Sequence, residues 1–357
     1  MKWGTKAKPT PTATGAKEGA APEAYGWMRP IEDMRKEGLR VGFFIDGNSI
    51  FCREYHAHPD LRTKAGAPTG AIYGWTRAMA DFIAVAQPDI GCVAWDGARG
   101  ERAANFRRAI FPGYKGKRER DERLEEQLGG CERFEICDIF NFPQAGDGYT
   151  VPGETGIAEA DDILATLVRR SHAENILDIA VVISGDRDML QLVDEDGATG
   201  TAVLSPVSGL QTMKWWAPAD VREKFHVGPT GLRTYKAIVG DASDAIPGVS
   251  GLGEKKFDEI LAAFRGNYGG GLDPSLEQVY ANRGGCSPRV KKLLEESAED
   301  AALFYEMVRL RDDVDLPEPF GMLIDRAGID WDKFLGFCER MEFRSLMPGS
   351  DGPTCAS

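Results

Sequence analysis

The sequence predicts an α/β fold in which a mostly parallel sheet is flanked by helices. Three short apolar runs have the composition of buried strands, and acidic residues follow each of them: VGFFI from Val41, GCVAW from Gly91 and ILDIAVVI from Ile176. Segments between these runs have a helical pattern, as in residues 70–85 and 159–170. Strands that alternate with helices are typical of a parallel sheet covered by helices on both faces.

Nine acidic residues in five short segments indicate a metal site. Ligands of parallel sheets bind beyond the carboxyl ends of the strands, and carboxylates brought together there repel one another unless divalent cations neutralise them. Each segment alone also fits an ordinary helix-end or turn acid, so the prediction rests on their joint occurrence. We predict two or more Mg²⁺ or Mn²⁺ ions and chemistry on phosphates. The nine residues are Asp46, Asp96, Glu159, Asp161, Asp162, Asp186, Asp188, Asp241 and Asp244.

The charge of the chain is distributed unevenly. The net charge of the 357 residues is −13, which alone argues against nucleic acid as a partner, because phosphates are bound by Lys and Arg. The nine acidic residues account for most of this excess and leave −4 for the rest of the chain. Positive charge is concentrated in NFRRAIFPGYKGKRER (residues 105–120), where Arg, Lys and an aromatic ring favour phosphate binding and base stacking over a solvated helix end.

A second segment suited to phosphate is the glycine-rich turn GVSGLGEKKF, which begins at Gly248 and leads into a predicted helix. Its backbone N–H groups could hold one phosphate, with Lys255 and Lys256 nearby. It is not a Walker A loop, because Glu254 stands where that motif requires lysine.

Cysteine usage and hydropathy predict a cytoplasmic protein. The chain has seven cysteines without CxxC or Cys–His spacing, which favours free thiols in a reducing compartment. No run approaches the ~18 apolar residues of a membrane span, and the N-terminus lacks the apolar centre of a signal peptide. We expect no membrane partner.

Taken in order, these motifs resemble the 5′-nuclease superfamily: the flap endonucleases, the phage 5′–3′ exonucleases and the N-terminal nuclease domain of bacterial DNA polymerase I. The matching segments are FFIDGNS, VAWDG, FRRAIFPGYKGKR, GIAEADD, ISGDRDMLQLV and GDASDAIPGVSGLGEKKF, and later RLRDDVDLP and FCERMEFRSLM. The resemblance runs from about residue 40 to 347.

The resemblance implies a PIN-like sheet with a helical arch and a C-terminal helix-three-turn-helix element that binds duplex DNA. Together with composition, it divides the chain into four parts. These are a flexible arm over residues 1–38, a catalytic domain over 39–212 with its arch at about 113–150, a duplex-binding domain over 213–347 and a disordered tail over 348–357.

The resemblance also implies roles for the site residues. Asp46, Asp96, Glu159, Asp161 and Asp186 would lie close to the metals, and Asp188, Asp241 and Asp244 would form a second, more open site supported by Asp162. Lys115 would reach the scissile phosphate with help from Arg107 and Arg118, and Tyr114 would stack on a displaced base. Gly248, Gly251 and Gly253, with Lys117, Lys255 and Lys256, would hold DNA, and the family often binds K⁺ at this turn. Ala245 departs from the family, which often has Asn there.

The function implied is a Mg²⁺-dependent 5′–3′ exonuclease or flap endonuclease acting near DNA 5′ ends. Replication, primer removal, repair and phage DNA metabolism are the expected settings, with a monomer in bacterial or phage-infected cytoplasm. One alternative is a PIN- or RNase H-type ribonuclease acting on RNA or on the RNA of RNA–DNA hybrids. Another is a non-catalytic DNA-binding replisome protein.

Overall fold

The computed structural model describes residues 25–97, 105–116, 121–146, 148–195, 200–208, 210, 212–268, 273–318, 320–323 and 327–347. At the centre of these residues is one six-stranded sheet. Its strands are β1 (Val41–Asp46), β2 (Ile90–Ala94), β3 (Gln144–Ala145), β4 (Ile179–Ile183), β5 (Thr201–Ser208) and β6 (Thr212–Trp216).

The strand order is β3-β2-β1-β4-β5-β6, and every neighbouring pair is parallel except β5 and β6. The predicted α/β class with a mostly parallel sheet is therefore confirmed. The register places Ile45 beside Ile183, and Asp46 beside Ala94. The central strands β1, β2 and β4 therefore end at the same edge of the sheet.

Helices cover both faces of the sheet. Within the described residues, the first seven are α1 (Arg29–Lys36), α2 (Gly47–Ala57), α3 (Gly70–Ala86), α4 (Phe106–Ile110), α5 (Glu122–Gly129), α6 (Glu132–Ile139) and α7 (Ala160–Ala173). The later seven are α8 (Pro218–Phe225), α9 (Leu232–Val239), α10 (Glu254–Tyr268), α11 (Leu276–Asn282), α12 (Pro288–Glu296), α13 (Ala298–Met307) and α14 (Trp331–Arg340). In the described part of the chain, no helix combines the length and apolar character needed to cross a bilayer.

The strands read as unbroken apolar runs because their two faces enter two different cores. Phe44 and Val182 pack with Leu164 of α7 and with the C-terminal helices. The alternate residues Phe43 and Val181 pack on the opposite face with α2, α3 and α6. Burial on both faces holds the strand ends, and with them the acidic residues that follow, in a rigid framework.

The prediction of a flexible arm over residues 1–38 is wrong for the last part of that segment. Residues 29–36 form α1, and Trp27 is buried, stacked on Phe82 with ring centroids 6.3 Å apart. The Trp215 indole donates to the Trp27 carbonyl at 2.9 Å. The polar composition of the segment conceals three buried apolar residues, Trp27, Met28 and Ile31, that attach it to the sheet. Residues 1–24 and the predicted tail over 348–357 lie outside the described residues.

The predicted boundary after residue 212 is also wrong, because it separates β6 from its sheet. Residues 212–216 pair antiparallel with β5, and Leu204 lies opposite Trp215. Beyond α8, the chain becomes helical, and α9 and α10 are joined by the turns of residues 240–253. This pair has the order expected of a helix-three-turn-helix element.

Two short helices, α5 and α6, occupy the region that the resemblance assigns to an arch. Asp121 caps α5 by accepting hydrogen bonds from Arg123 N at 3.0 Å and Leu124 N at 3.4 Å. Gln127 Oε1 accepts from Ala71 N at the start of α3 at 2.9 Å. The Gln127 contact attaches α5 to α3, and Leu124 and Leu128 of α5 line the same cavity as Asp46 at the end of β1.

Candidate active site

A cavity of about 500 Å³ lies at the edge where β1, β2 and β4 end. Lys115 and Arg108 contribute positive charge to its lining, and Asn48 and Ser49 contribute neutral polar groups. Acidic residues from four segments that are distant in the sequence also line this one cavity. They are Asp46, Asp96, Glu159, Asp161 and Asp186, and Glu125 of α5 adds a sixth acidic residue to the lining.

Asp46 is both the last residue of β1 and the cap of α2. Its carboxylate accepts hydrogen bonds from Ser49 N at 2.9 Å and from the Ser184 hydroxyl at 2.6 Å. Burial raises the pKa of Asp46 to about 7, with the Asp96 and Asp186 carboxylates adding to the rise and the two hydrogen bonds opposing it. Asp46 is therefore held rigidly, and among the described residues no basic side chain forms an ion pair with it.

Asp96 is oriented by neutral donors as well. Its carboxylate accepts from Asn48 Nδ2 at 3.0 Å and from Ala160 N, in the first turn of α7, at 2.9 Å. Asn48, Ser49 and Ser184 were not among the predicted site residues. The only signal for them was their position inside FFIDGNS and ISGD, because a positioning hydroxyl or amide has no distinctive pattern of its own.

Asp161 and Asp186 complete the acidic group. In the described part of the chain no hydrogen-bond donor reaches the Asp161 carboxylate, and Asp186 accepts from Asp188 N at 2.9 Å. Burial raises the pKa of Asp161 well above its usual range, and the neighbouring Asp186 and Asp46 carboxylates raise it further. Anionic oxygens that repel one another in a half-buried cavity are suited to a hard divalent cation.

The spacing of these carboxylates bears on how a cation would be held. Among the described residues, no three His, Cys, Asp or Glu side chains are arranged to hold a metal ion by direct ligation. Mg²⁺ commonly keeps several waters and contacts only one or two carboxylates. The residues therefore fit hydrated ions held partly through water, and they do not form a cage of direct ligands.

Glu159 is surrounded by basic and hydroxyl groups. Its Oε1 accepts from Lys115 Nζ at 2.5 Å, and its Oε2 accepts from Arg107 at 2.9 Å and from the Tyr114 hydroxyl at 2.8 Å. Burial alone would raise the pKa of Glu159, but Lys115 and Arg107 outweigh it and lower the pKa to about 2. Glu159 therefore positions Lys115 beside the cavity, and it would have to share its oxygens to contact a cation.

Lys115 lies at the wall of the cavity in an uncommon backbone conformation. Its φ of 51° is in the left-handed region, and its N–H donates to the Asp244 carbonyl at 2.9 Å. Its ammonium is largely enclosed and also lies 4.0 Å from an Asp244 oxygen. Burial favours the neutral amine, but Glu159 and Tyr114 outweigh it and hold the pKa of Lys115 well above its usual range. The side chain is therefore a permanent positive charge at this wall.

Tyr114 does not have the predicted exposed, base-stacking position. It is 3 % exposed, and its hydroxyl donates to Glu159 at 2.8 Å and to Asp244 at 3.1 Å. The aromatic ring belongs to a small core with Phe304 and Met307. An amphipathic Tyr beside a basic run resembles a stacking residue in sequence, but here both its ring and its hydroxyl are used within the fold.

Arg107 and Asp162 are structural partners and not cavity residues, contrary to the predicted phosphate and metal roles. Asp162 is fully buried, and both of its oxygens accept from the Arg107 guanidinium at 2.7 Å. The remaining donors of Arg107 reach Glu159 Oε2 at 2.9 Å and the carbonyls of Met307 at 2.9 Å and Arg309 at 2.7 Å. Arg311 N donates to Asp162 at 2.8 Å. RLRDDVDLP thus attaches the C-terminal helices to the floor of the site.

A second acidic group lies beside the cavity. Asp188, in the short helix after β4, and Asp241, in the turn after α9, both contact the ammonium of Lys236. Burial raises the pKa of Asp188 to about 7 against the opposing charge of Lys236. Lys236 was not among the predicted site residues, because a single lysine within the amphipathic helix LRTYKAIV has the pattern of a surface residue.

The glycine-rich turn lies at the start of α10. Gly248 has φ +66°, and a Cβ there would lie 2.4 Å from Gly240 N, so this glycine allows the turn to pack on the end of α9. Gly251 and Gly253 are exposed, and a Cβ on Gly253 would meet nothing within 4 Å. Lys255 is exposed, whereas the Lys256 ammonium donates to the Gly251 carbonyl. Lys117 and Arg118 lie outside the described residues.

The departure at Ala245 has a structural cost. Ala245 has φ +58°, a left-handed conformation that Asn and Gly adopt more readily than Ala. We expect Ala245→Gly to raise the free energy of unfolding by about 1 kcal/mol, because it removes this strain. Urea denaturation measures the change. Ala242→Gly in the same turn, where φ is not positive, is the control and should give no gain; an equal gain in both would contradict the argument.

Comparison with protein-family models decides the family. A model described as "5′-3′ exonuclease, N-terminal resolvase-like domain" matches residues 42–226, and one described as "5′-3′ exonuclease, C-terminal SAM fold" matches residues 227–325. The chain belongs to the 5′–3′ exonuclease family. The two family domains meet after α8, which agrees with the assignment of β6 to the sheet.

Curated relatives of this 5′–3′ exonuclease family member are bacterial DNA polymerases I. The chain is 32 % identical over 310 residues to the enzyme of Caldicellulosiruptor bescii. The aligned region covers 85 % of this chain and 32 % of that enzyme. The chain is 33 % identical over 269 residues to the enzyme of Mycobacterium tuberculosis, covering 71 % and 27 %. The chain thus spans about a third of the length of these relatives.

Solved structures of phage enzymes share the fold. A flap endonuclease of bacteriophage T5, in a pseudo-enzyme–product complex with DNA and metal ions, aligns with a TM-score of 0.57 at 19 % identity. It covers 86 % of this chain and 100 % of that one. The T5 5′-exonuclease with bound zinc ions aligns at 0.56 and 20 % identity, covering 85 % and 99 %. At these identities the likeness is one of fold.

Proposed function

We propose that this chain is a divalent-metal-dependent 5′ nuclease that hydrolyses phosphodiester bonds near DNA 5′ ends. The observation that carries the proposal is the cavity in which five of the nine predicted carboxylates, from Asp46 to Asp186, line the same space as the ammonium of Lys115. An anionic group suited to cations, with a fixed positive charge beside it, fits a phosphate that must contact both. Membership of the 5′–3′ exonuclease family supports the same activity.

The chain's own residues have distinct roles in this proposal. Divalent cations, when bound, activate water and stabilise the leaving oxygen of a phosphodiester. Asp161 and Asp186 present the least engaged carboxylates, whereas Asp46 and Asp96 are oriented by Ser49, Ser184, Asn48 and Ala160 N. Lys115 supplies positive charge to a phosphate at the cavity wall, and Glu159 holds its ammonium in position until the phosphate arrives.

Duplex DNA is the proposed ligand of the turn between α9 and α10. The exposed backbone at Gly251 and Gly253 leaves room for a phosphate chain to approach, and Lys255 lies exposed in the first turn of α10. K⁺ at this turn is part of the proposal. It would compete with the Lys256 ammonium for the Gly251 carbonyl. DNA and metal ions in a structural neighbour support this assignment by analogy of fold.

The cofactor in this proposal is Mg²⁺ or Mn²⁺, with two or more ions bound per site. The protein is proposed to be a monomer that acts in cytoplasmic DNA replication or repair.

The decisive experiment incubates the full chain with a 5′-labelled flap, a blunt duplex, an RNA–DNA hybrid and single-stranded RNA in Mg²⁺. Short products from the flap or duplex that vanish with EDTA are expected. Cleavage of RNA substrates alone would favour a ribonuclease, and no Mg²⁺-dependent product from any substrate would refute the proposal.

The raised pKa of Asp46 gives the stability of the chain a specific pH dependence. An unfolded Asp titrates at about 4, whereas the folded Asp46 has a pKa of about 7. Between these values the folded chain holds a proton that the unfolded chain has released, so this group's contribution to the free energy of unfolding falls as pH rises. A bound cation removes that loss, because it stabilises the ionised carboxylate.

We therefore expect Mg²⁺, relative to EDTA, to raise the melting temperature more at about pH 8 than at about pH 6. Scanning fluorimetry of the full chain at both pH values, with and without Mg²⁺, measures the difference. A Mg²⁺-induced rise that is equal at both pH values, or larger at the lower one, would contradict the raised pKa.

A further inference from the structure

The buried cation Lys236 lies among carboxylates to which the family resemblance assigns a second metal site. It is on α9, is 4 % exposed, and donates from its ammonium to Asp188 Oδ1. The same ammonium lies 2.7 Å from Asp241 Oδ2. Lys236 thus joins the segment after β4 to the turn after α9, at the junction of the two family domains.

The two acidic groups of the site differ in what neutralises them. Hydrogen bonds to Asp46 come from the neutral donors Ser49 and Ser184, and no described donor reaches Asp161. Asp188 and Asp241, by contrast, share a full positive charge that is covalently part of the chain. Among the described residues, the first pair accepts no hydrogen bond from a basic side chain, whereas the second pair has its counter-ion already in place.

An ammonium between two carboxylates reduces their mutual repulsion, as a divalent metal ion would in the same place. It is a compact point charge with three donors, carried on a flexible four-carbon stem. A divalent ion entering between the same oxygens would be repelled by Lys236 unless the side chain withdrew. Asp241 Oδ1 is already engaged by Ser243 N at 2.9 Å, which further reduces the oxygens available to an incoming ion.

We propose that Lys236 occupies the place of a divalent cation between Asp188 and Asp241. Of these two acidic groups, the one formed by Asp188 and Asp241 then does not bind divalent ions tightly without nucleic acid, whereas the group formed by Asp46, Asp161 and Asp186 does. Lys236 is a positioning residue in this arrangement. The second half of the statement rests on the proposed function, since it takes that group to be the metal site.

The test measures the binding of Mn²⁺ to the full chain without DNA, with electron paramagnetic resonance as the method of detection. Lys236→Met keeps the length of the side chain and removes its charge. We expect this variant to bind one more tight Mn²⁺ than the wild type, or to bind the weaker ion with a Kd at least about tenfold lower. Lys292→Met removes a charge from an exposed pair with Glu296 and should leave Mn²⁺ binding unchanged. Equal numbers of ions and equal Kd values in wild type and Lys236→Met overturn the inference.

A second readout uses folding instead of ion counts. Without its ammonium, the pair Asp188 and Asp241 is uncompensated, so Lys236→Met in EDTA should melt at least about 5 °C below the wild type. Mn²⁺ should raise the melting temperature of this variant by more than it raises that of the wild type. A variant that melts like the wild type in EDTA and gains no more from Mn²⁺ contradicts the inference.

Failure of the proposed function would be seen separately. A wild-type chain that binds no Mn²⁺ contradicts the metal-dependent function. In that case Mn²⁺ bound by Lys236→Met would still support the role of Lys236, and its absence from both proteins would overturn that role.

Discussion

Replacement of Asp186 by alanine is expected to reduce Mg²⁺-dependent cleavage by at least about a thousandfold. Asp186 lines the cavity beside Asp46 and Asp161, and its described hydrogen bond is a local one from Asp188 N. Removing the carboxylate therefore takes away a cation contact and leaves the core intact. Single-turnover cleavage of a 5′-flap substrate measures the loss, and a gel-shift assay in Ca²⁺ should show that DNA binding persists.

Two further measurements make the Asp186 result interpretable. Asp332→Ala, which removes an exposed carboxylate in the first turn of α14, is the matched control and should retain cleavage. The melting temperature of Asp186→Ala in EDTA should equal or exceed that of the wild type, because a mutually repelling carboxylate is gone. Full cleavage by Asp186→Ala would remove this cavity from consideration as the active site.

Arg107→Met is expected to lower the free energy of unfolding by about 3–5 kcal/mol. The change leaves the fully buried Asp162 without its bidentate partner, and it also removes donors from Glu159 and from the carbonyls of Met307 and Arg309. Urea denaturation in EDTA measures the effect in the absence of metal. Arg108→Met, at the adjacent and less buried position of α4, should change the free energy of unfolding by less than about 0.5 kcal/mol.

A double variant separates a structural role from a catalytic one. Arg107→Met combined with Asp162→Leu removes both charges together, and it should recover part of the stability lost by Arg107→Met alone. If Arg107→Met had the same free energy of unfolding as the wild type and yet lost cleavage, the structural role would be contradicted. The predicted role of Arg107 at the scissile phosphate would then be supported.

The sequence predicted the sheet and its acidic edge because both follow from short-range patterns. Apolar runs that end in Asp-Gly or Ser-Gly-Asp mark buried parallel strands, and the topology of such sheets brings their carboxyl ends together. The proximity of Asp46, Asp96 and Asp186, which line one cavity, could therefore be predicted without any knowledge of tertiary contacts. The two-residue strand β3 and the antiparallel β6 were missed, since neither is long or regular enough to stand out.

The roles of individual charged residues were less predictable, because residue type does not reveal the partner. Arg107 and Lys115 lie eight positions apart in the same basic run, yet one holds the fully buried Asp162 and the other lines the cavity. The role of Tyr114 was predicted wrongly, and Lys236 was not predicted at all, for the same reason. Each forms its decisive contact with a residue at least 45 positions away in the chain.

The contacts of Arg107 with Met307 and Arg309 span about 200 residues, which has a consequence for biosynthesis. A ribosome completes the whole six-stranded sheet long before it delivers the segment that satisfies this guanidinium and the Asp162 beside it. Until then the nascent chain carries an incomplete polar network beneath its acidic cavity. The site therefore reaches its final geometry only when the last third of the polypeptide has emerged, and a fragment ending with the first family domain would not reproduce it.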